Sequence, residues 1–115
     1  MHGLKHAWKR VSSWLGYVLG PVYTSQVVQD WLPRTMAART LYIVEDDGIA
    51  EQVAFLCPCG CGELIQLNLL PDEHPCWRLT HDRSGNLTAC PSVWRTRGCR
   101  AHFWIRHSRI WWCRK

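Results

Sequence analysis

Phe55 to Leu70 reads FLCPCGCGELIQLNLL, and its centre places Cys57, Cys59 and Cys61 at every second position. No other stretch limits the fold so sharply. A disulfide needs particular Cα separations and Cβ directions, and alternate residues of an extended chain point their thiols to one face without crossing them. The chain has seven cysteines, an odd count, whereas a secreted disulfide scaffold shows an even count at wider spacing. Metal binding accounts for the cluster better. Gly60 and Gly62 permit positive φ and let backbone amides turn inward toward thiolate sulfurs, as in a metal knuckle.

One knuckle cannot close a tetrahedral site. A second lies in GCRAHF, where Gly98 precedes Cys99 and Cys-x-x-His presents Cys99 and His102 from one turn. Two of Cys57, Cys59 and Cys61 joined with Cys99 and His102 make three sulfurs and one nitrogen, a closed zinc set. The spacing leaves open which two. A 2Fe-2S cluster with one histidine ligand is the alternative. Cys76, Cys90 and Cys113 lack such neighbours and read as packing residues.

At 115 residues the chain holds one domain and little more. Eight tryptophans provide large buried area for a small core. The net charge of +5 is spread over both ends without a long basic block, which argues against a nucleic-acid partner. No apolar run approaches the length of a transmembrane span. The first twenty residues begin basic and turn apolar, like a signal peptide, but Ser12, Ser13 and Gly16 interrupt the run and no small-residue cleavage site follows. Leu4, Trp8, Val11, Leu15 and Val18 recur at helical steps, which predicts an amphipathic helix over 1–20, ended by Gly20-Pro21.

From Val22 the period changes. VYTSQVV, RTLYIVEDDG, QVAFLC and ELIQLNLL read as strands, CWRLTHDRSGNLTAC as a hairpin, and AHFWIRHSRIWWC as a second hairpin turning near His107-Ser108. WLPRTMAA reads as a turn or one short helix. The expected architecture is a mainly β, small single-domain, metal-bound β-sheet of zinc-ribbon-like type, with residues 21–115 as the metal-binding domain behind the 1–20 leader helix.

RTLYIVEDDG, FLCPCGCG, LNLLPDEHPCW, CPSVWR and GCRAHFWIR with RIWWC together resemble a bacterial family designated as a domain of unknown function. It is encoded with ubiquitin-like proteins and their activating and conjugating enzymes in operons linked to phage defence. The resemblance covers Val22 to Cys113. It implies a cytoplasmic component of a ubiquitin-like conjugation pathway, with the ubiquitin-like protein and its enzymes as partners and an antiviral role. Relatives usually carry serine where this chain has Ala101. A hydroxyl beside a metal turn is a place where a nucleophile can be activated. Position 101 is then either a tight-turn residue or the nucleophile position of a hydrolase, a peptidase that processes or deconjugates the ubiquitin-like protein, and this chain an inactive version of it. Ser92, after Pro91 on a strand, is a weaker nucleophile candidate or a supporting donor. Asp72, Glu73 and His74 read as a solvated turn, and His81 and Asp82 as exposed. The readings from other classes are a non-catalytic zinc adaptor and an iron–sulfur redox protein.

Overall fold

The computed structural model describes residues 20–113. The amphipathic helix expected over 1–20 therefore lies outside the described residues, Gly20 apart. Eight strands follow: β1 (Thr24–Gln29), β2 (Thr40–Asp46), β3 (Ile49–Leu56), β4 (Leu64–Asn68), β5 (Arg78–His81), β6 (Leu87–Trp94), β7 (His102–Arg106) and β8 (Arg109–Trp112). They form two four-stranded sheets, ordered β1-β2-β3-β4 and β5-β6-β7-β8. Mainly β is therefore right, and it takes the form of two sheets. The short helix considered for WLPRTMAA is absent, since residues 31–38 contain bends and irregular backbone and enter a turn at Ala38.

The turns are where sequence chemistry acts most directly. Asp47 and Gly48, between β2 and β3, have φ of 53° and 78°. His107 and Ser108, between β7 and β8, have φ of 50° and 60°. Paired positive φ is the primed turn geometry whose twist matches antiparallel strands. One pairing departs from this local pattern: β1 runs parallel to β2. A parallel neighbour needs a crossover, here residues 30–39, and Tyr42 anchors it by accepting a hydrogen bond at its hydroxyl from the Ala37 amide at 2.9 Å.

Alternation along each strand sends one set of side chains inward. Leu41 and Ile43, Val53 and Phe55, and Ile65 and Leu67 from the first sheet share one core with Leu87, Ala89, Val93, Phe103, Ile105 and Ile110 from the second. Phe55 and Phe103 meet edge to face across that core, with ring centroids 6.1 Å apart. Thr40 and Ser108 are the buried polar residues among those described, Ser108 the deeper at 1% exposure. Its amide donates to the Leu87 carbonyl at 2.7 Å and its hydroxyl accepts from the Leu87 amide at 2.8 Å, while its carbonyl accepts from Tyr23 at 2.6 Å. The tip of the last hairpin thus holds both the start of β6 and the entry to β1.

Candidate functional site

The three clustered cysteines occupy the turn from β3 to β4. The Cys57 amide donates to the Glu63 carbonyl at 2.8 Å, closing the turn, and the Gly60 amide donates to the Cys57 carbonyl at 3.1 Å. Gly60 and Gly62 take φ of 90° and 82°, values that side-chain-bearing residues rarely adopt. The expected knuckle therefore forms, and the Cys61 amide donates to Cys59 Sγ at 3.3 Å.

The fourth sulfur comes from the other sheet. Cys99 lies in the loop between β6 and β7, and its Sγ stands 3.6 Å from Cys57 Sγ. Cys57, Cys59, Cys61 and Cys99 bring their four sulfurs within 4.8 Å of one another. A tetrahedral ion with Zn–S near 2.3 Å separates its sulfurs by about 3.8 Å, so these residues fit one metal ion. A two-iron cluster spreads its thiolates over two metals and calls for a wider set. All seven cysteines are free thiols.

The electrostatics suit a thiolate group. Arg95 Nη1 donates to Cys61 Sγ at 3.6 Å and to Cys99 Sγ at 3.5 Å, and Nη2 pairs with Glu63. The backbone amide of Ala101 is the main cause holding the Cys99 thiol down at about 7. Hydrogen bonding to Cys57 is the main cause pushing Cys59 up to about 12. Without a metal, neighbouring thiols cannot all ionise, and Cys99 ionises more readily than Cys57 or Cys59.

His102 is not part of the sulfur group. Arg100, at φ 55°, reverses the chain after Cys99, and His102 begins β7 facing the outer side of its sheet. There its Nε2 lies 3.1 Å from Ser92 Oγ. The register explains the contact. Trp94 pairs with His102 across β6 and β7, and Ser92, two residues earlier, shares that face and meets the ring diagonally. The pairing passes from Ala89↔Ile105 to Val93↔Phe103, so β6 spends four residues where β7 spends two. That bulge aims the Ser92 side chain at the imidazole. The Trp94 indole stacks on the His102 ring with centroids 5.0 Å apart and planes 14° apart. Among the described residues no side chain bonds the other ring nitrogen.

The structure thus brings together two adjoining constellations, four sulfurs and a serine–histidine pair, joined by the loop from Arg95 to Ala101. A family model described as "Bacterial ubiquitination-like system serine protease" (BubE) matches residues 28–113. The chain belongs to this family. No curated protein and no solved structure matches it. The resemblance to a bacterial ubiquitin-like conjugation component is accordingly right.

Within this BubE member, Ala101 is 7% exposed and packs into the shared core. Consecutive strand residues face opposite sides, so its methyl points away from the His102 ring. Asp82 pairs with His107, Nδ1 to Oδ2 at 2.9 Å, and His81 and the 72–74 turn are exposed. Sequence reasoning left out Trp94 and Arg95. Their only signal was position: Trp94 falls two residues after Ser92, and Arg95 opens the loop that holds Cys99. No helix among the described residues is long and apolar enough to cross a membrane.

Proposed function

We propose that this chain is a peptidase acting on the ubiquitin-like protein of its conjugation system, with Ser92 as nucleophile and His102 as general base. The observation that carries the reading is the 3.1 Å approach of His102 Nε2 to Ser92 Oγ, inside a family described as serine proteases. A serine is a weak nucleophile until an adjacent base takes its proton. With the ring proton on Nδ1, Nε2 accepts the hydroxyl proton as Oγ attacks the scissile carbonyl carbon. The imidazolium then gives that proton to the departing amine. Water attacks the resulting ester, losing its proton to Nε2, and the imidazolium returns that proton to Ser92 Oγ as the carboxylate departs. The stacked Trp94 indole holds the ring plane, and its π face favours the cationic imidazolium that each half-reaction passes through.

The four thiols have the donor set of a closed structural zinc site, which leaves no coordination position for water. When bound, the ion supplies a cross-link between the β3–β4 turn and the β6–β7 loop, and no catalytic step needs it. Its position bears on the chemistry because the loop it holds runs from Arg95 to Ala101, between Trp94 and His102. This chain carries its own nucleophile, so alanine at position 101 does not mark it as inactive.

The test is turnover of a ubiquitin-like precursor or conjugate from the same system by the wild type and by Ser92→Ala and His102→Ala. We expect each substitution to lower kcat/KM by at least about a thousandfold while the circular dichroism and melting curve stay unchanged. Full activity in Ser92→Ala would leave a metal-bearing adaptor, or another nucleophile, as the better account.

A further inference from the structure

β5 pairs with β6 only from Leu87 to Cys90. Before Arg78 the chain turns away, and the Trp77 amide donates to the Asn68 carbonyl of the first sheet at 2.8 Å. The last four residues of β6, Pro91 to Trp94, therefore have β7 on one side and, among the described residues, an open edge on the other. Pro91 suits such a place, because proline lacks an amide donor and is confined to sheet edges and bulges.

The direction of the backbone groups on this edge follows from two hydrogen bonds. Arg95 donates its amide to the Ala101 carbonyl at 2.8 Å, and Cys113 donates to the His102 carbonyl at 2.9 Å. The first makes Arg95 and Ala101 a hydrogen-bonded pair. The second turns the His102 carbonyl toward β8. The intervening pair, Trp94 and His102, is then the non-hydrogen-bonded kind, in which backbone groups point away from the partner strand. The Trp94 amide and carbonyl face the open edge, and no turn or loop hydrogen bond among the described residues uses them. Ser92, two residues earlier and reaching the same imidazole, has the same parity. Pro91 and Trp94 are exposed and Ser92 is half-buried, so the edge is open to a strand.

We propose that the substrate binds as an added β-strand along the β6 edge from Ser92 to Trp94, a short extended polypeptide segment whose main chain pairs with Trp94. This deepens the reading of Ser92 as nucleophile and rests on it. An extended main chain on that edge places peptide carbonyls along the line of the Ser92 hydroxyl, and an exposed strand edge is a ready template for such pairing. Because Trp94 contributes backbone rather than side-chain contacts to this ladder, recognition tolerates varied side chains and demands an unfolded tail. The occupant is thus a flexible chain terminus or linker, not a folded surface.

The test is an N-methyl scan of an eight-residue peptide spanning the cleavage site of a ubiquitin-like precursor from the same system. Binding is read by fluorescence anisotropy on the Ser92→Ala variant, and KM on the wild type. Removing one main-chain donor that faces Trp94 should weaken binding about five- to tenfold. Methylation at the flanking residues, whose amides point to solvent, should change it less than about twofold. That two-residue alternation supports strand addition. A flat profile, or losses at consecutive residues, overturns it. If Ser92→Ala still cleaves, the nucleophile assignment fails separately, and the alternation in wild-type KM still decides the docking mode.

Discussion

Cys57 and Cys99 bring their sulfurs to 3.6 Å from opposite sheets. Cys57 follows β3 in one sheet and Cys99 precedes β7 in the other, so the thiol group joins the two layers at the end of the molecule that carries Ser92 and His102. Elsewhere the layers meet through apolar side chains around Phe55 and Phe103 and through two backbone hydrogen bonds, Tyr23 to Ser108 and Trp77 to Asn68.

We expect one zinc per chain by elemental analysis, and a colourless protein. Cys99→Ser should lose the metal and much of the thermal stability, since structural zinc contributes on the order of 10 kcal/mol in small domains. A metal-free protein with the wild-type Tm, or a visible absorption band with iron present, would count against the site as described.

Trp94→Ala should lower kcat/KM about three- to thirtyfold, as expected for losing a stack and cation–π contact of roughly 0.5–2 kcal/mol. Trp94→Phe should recover most of it. The loss should appear in kcat rather than KM, because the indole acts on the imidazolium formed during turnover. An unchanged kcat with reduced Tm would show Trp94 to be a packing residue alone.

Ser108→Ala removes the hydroxyl that accepts from the Leu87 amide in a buried setting. Leaving that donor unpaired costs about 1–3 kcal/mol, a fall in Tm of several degrees for a domain of this size. Calorimetry of the variant beside the wild type checks it. A Tm within one degree of wild type, on the order of experimental error, would mean water replaces the hydroxyl.

His107, and then the Asn86 and Ser84 amides, hold the Asp82 carboxyl below its ordinary value of 3.8. A depressed carboxyl contributes stability that is present above the unfolded value and lost as pH falls through the folded one. Asp82→Asn keeps the turn acceptor and removes the charge. Its Tm should fall below wild type at neutral pH and converge with it as pH drops below about 4. A constant gap across that range would show the charge to be irrelevant.

Much of this was legible in the chain itself. Asp47-Gly48 and His107-Ser108 announced hairpins, and RTLYIVEDDG and QVAFLC read as the strands that became β2 and β3. The two glycines around Cys61 marked the knuckle, and the Gly98-Cys99 turn supplied the sulfur that lies 3.6 Å from Cys57. His102 was assigned to the metal because Cys-x-x-His on a turn reads alike whether the histidine ligates or opens a strand. What separates the two cases is the Arg100 backbone, at φ 55°, a conformation that an arginine does not advertise. The approach of Ser92 to His102 was hidden for a related reason. The contact depends on the extra residues of β6 between Ala89 and Val93, and a bulge depends on the partner strand. The parallel pairing of β1 was hidden because parallel and antiparallel strands carry the same apolar alternation.

The central claim is that Ser92 is an activated nucleophile. The most direct measurement is labelling with a fluorophosphonate, followed by peptide mass mapping. We expect one adduct per chain, on Ser92, absent in Ser92→Ala and slowed at least about a hundredfold in His102→Ala, in line with the general-base contribution. An adduct on another residue, or an unlabelled Ser92 in protein that cleaves its substrate, would contradict the account.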